Sequence, residues 1–182
     1  KYDEFFRHAT HGLNPYPRQE EVAMNGLPEV LSVPTGLGKT EGAALAWAYR
    51  LLRMEGTGEP RHLVYCLPMR VLVQQTRDRL LTCFDRLRKQ DGLDVGVYVL
   101  MGGDADEDWT REPEKPWVLI GTQDMLLSRA LNRGYGMSRF EWPVHFGLLN
   151  NDCRWVVDEV QLMGSGLWTT AQLDWMRLKR FK

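Results

Sequence analysis

The chain has 182 residues, 43% of them hydrophobic and 26% charged, with a formal net charge of −1. That length supports one compact domain with a buried core, and no apolar run is long enough to span a bilayer. The near-neutral balance excludes capture of nucleic acid by net charge alone, so any such contact must come from local patches, backbone amides and helix ends. Three cysteines, Cys66, Cys83 and Cys153, form no C-x-x-C pair and support neither a disulfide framework nor a zinc knuckle. Reduced, buried thiols in a cytoplasmic protein are expected. The chain opens on Lys1 rather than Met, and a piece of something longer is expected.

The N-terminal stretch carries Phe5-Phe6 and Pro15-Tyr16-Pro17-Arg18-Gln19. His8 and His11 form an H-x-x-H pair, but no acid or third ligand at a known spacing accompanies them, so no metal site is read there. An apolar strand is expected over residues 29–33, running into Pro34-Thr35-Gly36-Leu37-Gly38-Lys39-Thr40 and then a helix over 40–55. Glycines in such a loop let successive amide N–H groups turn toward phosphate oxygens, and the helix adds its positive N-terminal end. Thr35, Gly36, Leu37, Gly38, Lys39 and Thr40 are therefore the expected cradle for ATP. Lys39 would reach the β- and γ-phosphates and the Thr40 hydroxyl would ligate Mg²⁺. The general phosphate-loop pattern wants glycine where this chain has Val33.

Further strands are expected over 62–67, 95–101, 118–121 and 155–158, each short, apolar and bounded by Pro, Gly or charge. Helical stripes lie between them: Ala43, Trp47, Leu51 and Met54; then Val73, Leu80, Phe84 and Leu87; and near the end Leu167, Ala171, Trp175 and Leu178. All read as core-facing. The acidic stretch 104–114 reads as an exposed loop, and 133–151 as an insertion of loop and short helix. Alternating strands and helices imply an α/β fold, a mainly parallel sheet with helices on both faces and ligands at the carboxyl ends of the strands. Asp158-Glu159-Val160-Gln161 follows the last strand. Asp158 there can hold Mg²⁺ opposite Thr40, and Glu159 can polarise the attacking water as general base.

With both motifs in hand, the chain resembles the first RecA-like lobe of a superfamily 2 DExD/H-box helicase, for which the P-T-G-x-G-K-T loop is typical. The resemblance implies a single P-loop NTPase lobe over residues 1–182, with a second RecA-like lobe of the same polypeptide elsewhere. It implies that Gln19 reads the adenine edge, with Tyr16 or Phe6 as stacking neighbours. Residues 67–75, including Arg70 and Gln74, resemble the segment that grips a strand's phosphates. Gly102-Gly103 and Thr122-Gln123 resemble two further backbone-contacting motifs. Gln161 stands where the family usually has His or Asp, at the position that couples the nucleotide and nucleic-acid sites. A narrower resemblance, to the helicase of type I CRISPR interference, rests on Phe5-Phe6, Pro15-Tyr16-Pro17, the insertion after Gln123-Asp124 and residues 157–163. It implies single-stranded DNA as the track, an HD nuclease elsewhere and recruitment by an RNA-guided surveillance complex. No His is followed by Asp in this stretch. An RNA helicase lobe and a non-catalytic nucleotide-binding scaffold remain alternatives. The arginines and lysines of 70–89 and 177–182 read as a solvated helix face with a modest nucleic-acid footprint.

Overall fold

The computed structural model describes residues 1–34, 36–106, 108–134 and 136–180. In chain order the elements are α1 (Tyr2–Thr10), α2 (Pro17–Asn25), α3 (Lys39–Arg53), β1 (His62–Leu67), α4 (Arg70–Asp91), β2 (Gly96–Met101), β3 (Asp104–Ala105), β4 (Trp117–Thr122), α5 (Gln123–Ala130), α6 (Trp142–Asn150), β5 (Cys153–Val157) and α7 (Ser165–Arg180). The sheet runs β3-β2-β4-β1-β5. β2, β4, β1 and β5 are parallel, and only the two-residue β3 pairs antiparallel, against β2. This is the RecA-like α/β architecture that the alternation of strands and helices leads one to expect.

The central strands β1 and β4 are buried at every position, because helices cover both faces and leave no polar side to alternate with. Leu63, Tyr65 and Leu67 of β1 point into a core shared with Phe5, Trp47, Leu80 and Phe84. Val64 and Cys66 point the other way, toward Leu119, Leu126 and Leu149. Helices α1–α4 thus cover one face and α5–α7 the other. At Gly121 a Cβ would stand 2.6 Å from the Leu100 carbonyl oxygen, so glycine lets β4 close against β2. Cys66 and Cys83 are buried and all three cysteines are free. No helix among the described residues is long and apolar enough to cross a membrane.

Three expectations are corrected. Residues 29–33 form no strand: the sheet ends at β5, and Val30 is exposed. A strand is a partnered state, and apolar composition alone supplies no ladder partner for the segment's N–H and C=O groups. The stripe assigned to α7 is turned around. Leu173 is its buried residue, while Leu167, Ala171 and Trp175 face outward, Trp175 at 62% exposure. The side chain of Leu178 lies outside the described residues. Two apolar rows share that helix, and spacing cannot choose which one meets α5. The acidic stretch 104–114, finally, is not all loop. It holds β3 and a 3-10 turn, Asp108–Thr110, that buries Trp109. Trp109 packs edge-on to Trp117, with ring centroids 5.1 Å apart, which anchors the polar run to the core.

Candidate nucleotide site at the carboxyl rim of the sheet

Parallel strands end at one rim, so the segments after β1, β2, β4 and β5 are brought together there. These carry Arg70, Gly102-Gly103, Gln123 and Asp158-Glu159, and the phosphate loop joins them through Lys39. Gly36 and Gly38 take left-handed backbone (φ +85° and +63°), which glycine adopts without steric cost. Gly38 is the N-cap of α3 and no side-chain hydrogen bond caps that helix. Its first-turn N–H groups are therefore left for an anion. Lys39 and Thr40 open the helix. Thr35, also expected in the cradle, lies outside the described residues. Leu37 is part-exposed beside the loop.

Lys39 Nζ stands 3.4 Å from Glu159 Oε1 and 3.9 Å from Asp158 Oδ1, all three side chains about three-quarters or more buried. The sequence-read catalytic trio thus forms one cluster. Asp158 is fixed from three sides. Its N–H donates to the Cys66 carbonyl (3.0 Å), extending the β5–β1 pairing by one residue. The Glu159 N–H donates to Oδ1 (2.8 Å) and the Tyr65 hydroxyl to Oδ2 (2.9 Å). Glu159 adopts φ +51°, a left-handed conformation costly for a residue with a long side chain. The Gln161 amide donates to Glu159 Oε2, so the residue that departs from the family pattern here orients the neighbouring acid.

Tyr65 was not singled out by sequence. It is buried on β1 and hydrogen-bonds both Asp158 and Thr40, and burial first, then the Asp158 carboxylate, hold its phenol well above the ordinary tyrosine range. It stays a neutral donor. The signal that marks it is positional: a tyrosine two residues before the end of a strand whose neighbour runs directly into Asp158. Thr40 and Asp158, bridged by Tyr65, present a hydroxyl and a carboxylate, hard oxygen donors that suit Mg²⁺. Among the described residues no group of three or more His, Cys, Asp or Glu forms a metal cluster.

Gln19 is buried and used at both ends. Its Oε1 accepts the Tyr16 N–H (2.9 Å) and its Nε2 donates to the Gly38 carbonyl (2.9 Å), tying the start of α2 to the phosphate loop. The nucleic-acid candidates divide. Arg70 and Gln74 are exposed at the start of α4, and the Arg70 guanidinium donates to the Gly102 carbonyl, so two of the motifs are physically joined. Gly103 is exposed with φ +82°. Thr122 is buried and caps α5 without a side-chain hydrogen bond. A Cβ at Gly166 would stand 2.0 Å from the Gln123 amide oxygen, so Gln123 is packed against α7. Both side chains are thus taken up by packing at the start of α5. His8 pairs with Asp91 at 3.0 Å and takes no part in the site.

A cavity of about 840 Å³ opens on this cluster, lined by Lys39, Thr40, Asp158 and Glu159 and continuing between α4 and the segment joining α1 to α2. That volume is of the size that holds a whole small-molecule ligand. The model of the DEAD/DEAH box helicase family matches residues 16–178. No curated protein matches the chain. Among solved structures, the crystal structure of the UvsW helicase from bacteriophage T4 is similar, with 19% identity and a TM-score of 0.46. That similarity covers 85% of this chain and 58% of the UvsW chain, so the present chain spans little more than half of that protein.

Proposed function

Because the chain belongs to the DEAD/DEAH box helicase family, we propose that it is the ATP-hydrolysing motor lobe of a translocase acting on single-stranded DNA. In the complete protein it works with a second RecA-like lobe and beside an RNA-guided CRISPR surveillance complex. The observation that carries the motor reading is the convergence of Lys39, Asp158 and Glu159 at the phosphate loop. Mg²⁺, held by Thr40 and Asp158, supplies charge neutralisation for the triphosphate when bound. Lys39, which pairs with the two acids, exchanges them for phosphate oxygens. The Glu159 carboxylate, steered by Gln161, accepts the proton of the attacking water. The Gly38 and following amides hold the phosphates in line with that water, so positioning and electrostatics do most of the work.

The track runs over Arg70, Gln74, Gly102, Gly103 and the start of α5 at Thr122 and Gln123, on the same rim. Contacts of this kind read the backbone and carry no sequence information. DNA and the CRISPR setting are supported by the resemblance of Phe5-Phe6, Pro15-Tyr16-Pro17 and residues 157–163 to the type I helicase. The test is ATP turnover by the full-length protein with single-stranded DNA or RNA added. Stimulation by DNA alone is expected. Stimulation by RNA alone would replace the DNA reading with an RNA helicase, and turnover insensitive to both would remove the translocase.

A further inference from the structure

Both polar atoms of the Gln19 side chain are held by backbone, Oε1 by the Tyr16 N–H and Nε2 by the Gly38 carbonyl, and the residue is only 7% exposed. Glycines shape a slot for it. A Cβ at Gly38 would stand 2.8 Å from Gln19 Nε2, and a Cβ at Gly42 would stand 3.0 Å from Gln19 Cγ. Gly42 lies inside α3, where glycine is unfavourable next to alanine, and the room it leaves is filled by Gln19. The Gly38 carbonyl also accepts the Gly42 N–H at 2.8 Å, so two donors converge on that one oxygen and use both of its lone pairs.

Building on the phosphate-site reading above, we propose that Gln19 is a positioning residue of the phosphate loop, acting on the phosphates through Gly38 and not on the base. A trans peptide points its C=O and N–H to opposite sides. Holding the Gly38 carbonyl toward Gln19 and Gly42 therefore turns the Lys39 N–H away from them, out of the start of α3, where an anion is favoured. Gly38 needs that hold. It takes left-handed backbone (φ +63°), and a glycine is free to leave that conformation for many others. Reading adenine, the role that the family resemblance implies for Gln19, takes a donor and an acceptor presented together at an open edge. Gln19 instead turns its oxygen to the start of α2 and its nitrogen to the loop. It sets how tightly the phosphate chain is held and leaves the choice of base to other groups.

The experiment measures binding of ADP, GDP and pyrophosphate to the full-length protein by calorimetry, for wild type, Gln19→Ala and Gln19→Met, well below the melting temperature of each. Methionine fills the slot with a side chain of similar length and makes neither hydrogen bond. Both variants should bind all of these ligands more weakly, by one common factor of roughly five- to tenfold, the usual worth of a hydrogen bond. The ratio of ADP to GDP affinity should stay within about twofold of the wild-type ratio, since no base contact is lost. Weakening of ADP alone, with GDP and pyrophosphate unaffected, would make Gln19 a base reader and overturn the proposal. Wild-type affinities in Gln19→Met would reduce Gln19 to a packing residue and overturn it equally. If Lys39→Ala left pyrophosphate affinity unchanged, the phosphate-site reading itself would fall, and the positioning role with it.

Discussion

The two rims of one sheet are built on opposite terms. At the carboxyl rim, charged and polar groups pair with one another: Lys39 forms ion pairs with Asp158 and Glu159, Tyr65 donates to Asp158, and Gln161 donates to Glu159. At the amino rim, His62 at the start of β1 stacks on Trp117 at the start of β4 (ring centroids 4.0 Å apart). Trp117 meets Trp109, and Trp109 meets His145 of α6 at 4.8 Å. Both rims carry ionisable side chains. One sets opposite charges against each other; the other buries its imidazoles among tryptophans, and that burial favours their neutral form. Strand direction is the source of the difference: every β-to-α turn of this architecture exits at the carboxyl rim, so chemistry gathers there and the opposite rim is left to packing.

Removing the general base should show the largest effect. Glu159→Gln in the full-length protein should lower ATP turnover by about 10²–10⁴-fold while leaving ADP affinity within a few-fold. Turnover that persists would mean another group takes the proton, and the carboxyl rim would lose its claim to be the reactive one.

The amino rim makes its own prediction through acid lability. Burial, with Arg61 adding to it against the opposing Asp152, lowers His62 to about 4; burial and the Arg129 guanidinium lower His145 to about 4. The unfolded chain, with imidazoles near 6.5, therefore binds more protons than the folded one between pH 4 and 6.5. Stability should be complete above that window and fall as pH drops through it, by roughly 3 kcal/mol per histidine at the low end. Denaturant melts from pH 7.5 to 4 measure this. Removal of both imidazoles (His62→Phe, His145→Phe) should flatten the slope, and a slope unchanged in that variant would assign it elsewhere.

The smallest effect sharpens the carboxyl rim. Tyr65→Phe deletes one hydroxyl that holds Asp158 and Thr40 together, and should cost about tenfold in kcat with melting nearly unchanged. The Mg²⁺ concentration needed for half-maximal ATP binding should rise in parallel. A lower melting temperature without that shift would make Tyr65 a packing residue only.

Much of this was legible in the sequence, for reasons that differ by element. Strands β1 and β4 announce themselves because burial on both faces makes them apolar throughout. Residues 29–33 have the same composition and no ladder, since pairing is decided by neighbours that a local pattern cannot see. The α7 stripe failed because Leu167–Trp175 and Leu173–Met176 are both apolar rows, and only packing against α5 decides between them. In the site, Lys39, Asp158 and Glu159 were readable because their spacing from glycines and strand ends is itself chemical. Tyr65 was not, because its contribution depends on β1 lying beside β5.

Among the described residues, four non-glycine positions hold left-handed backbone: His11, Asn132, Asp152 and Glu159. Asn, Asp and His tolerate that region; glutamate does not share their short polar reach. At position 159 the chain keeps a residue that its backbone would trade for glycine, at about 1 kcal/mol of conformational energy. Selection for thermal robustness alone would therefore erode this residue among the first. A stabilised descendant of this lobe that has exchanged Glu159 for glycine or asparagine would be a record of lost enzymatic duty, legible without any assay.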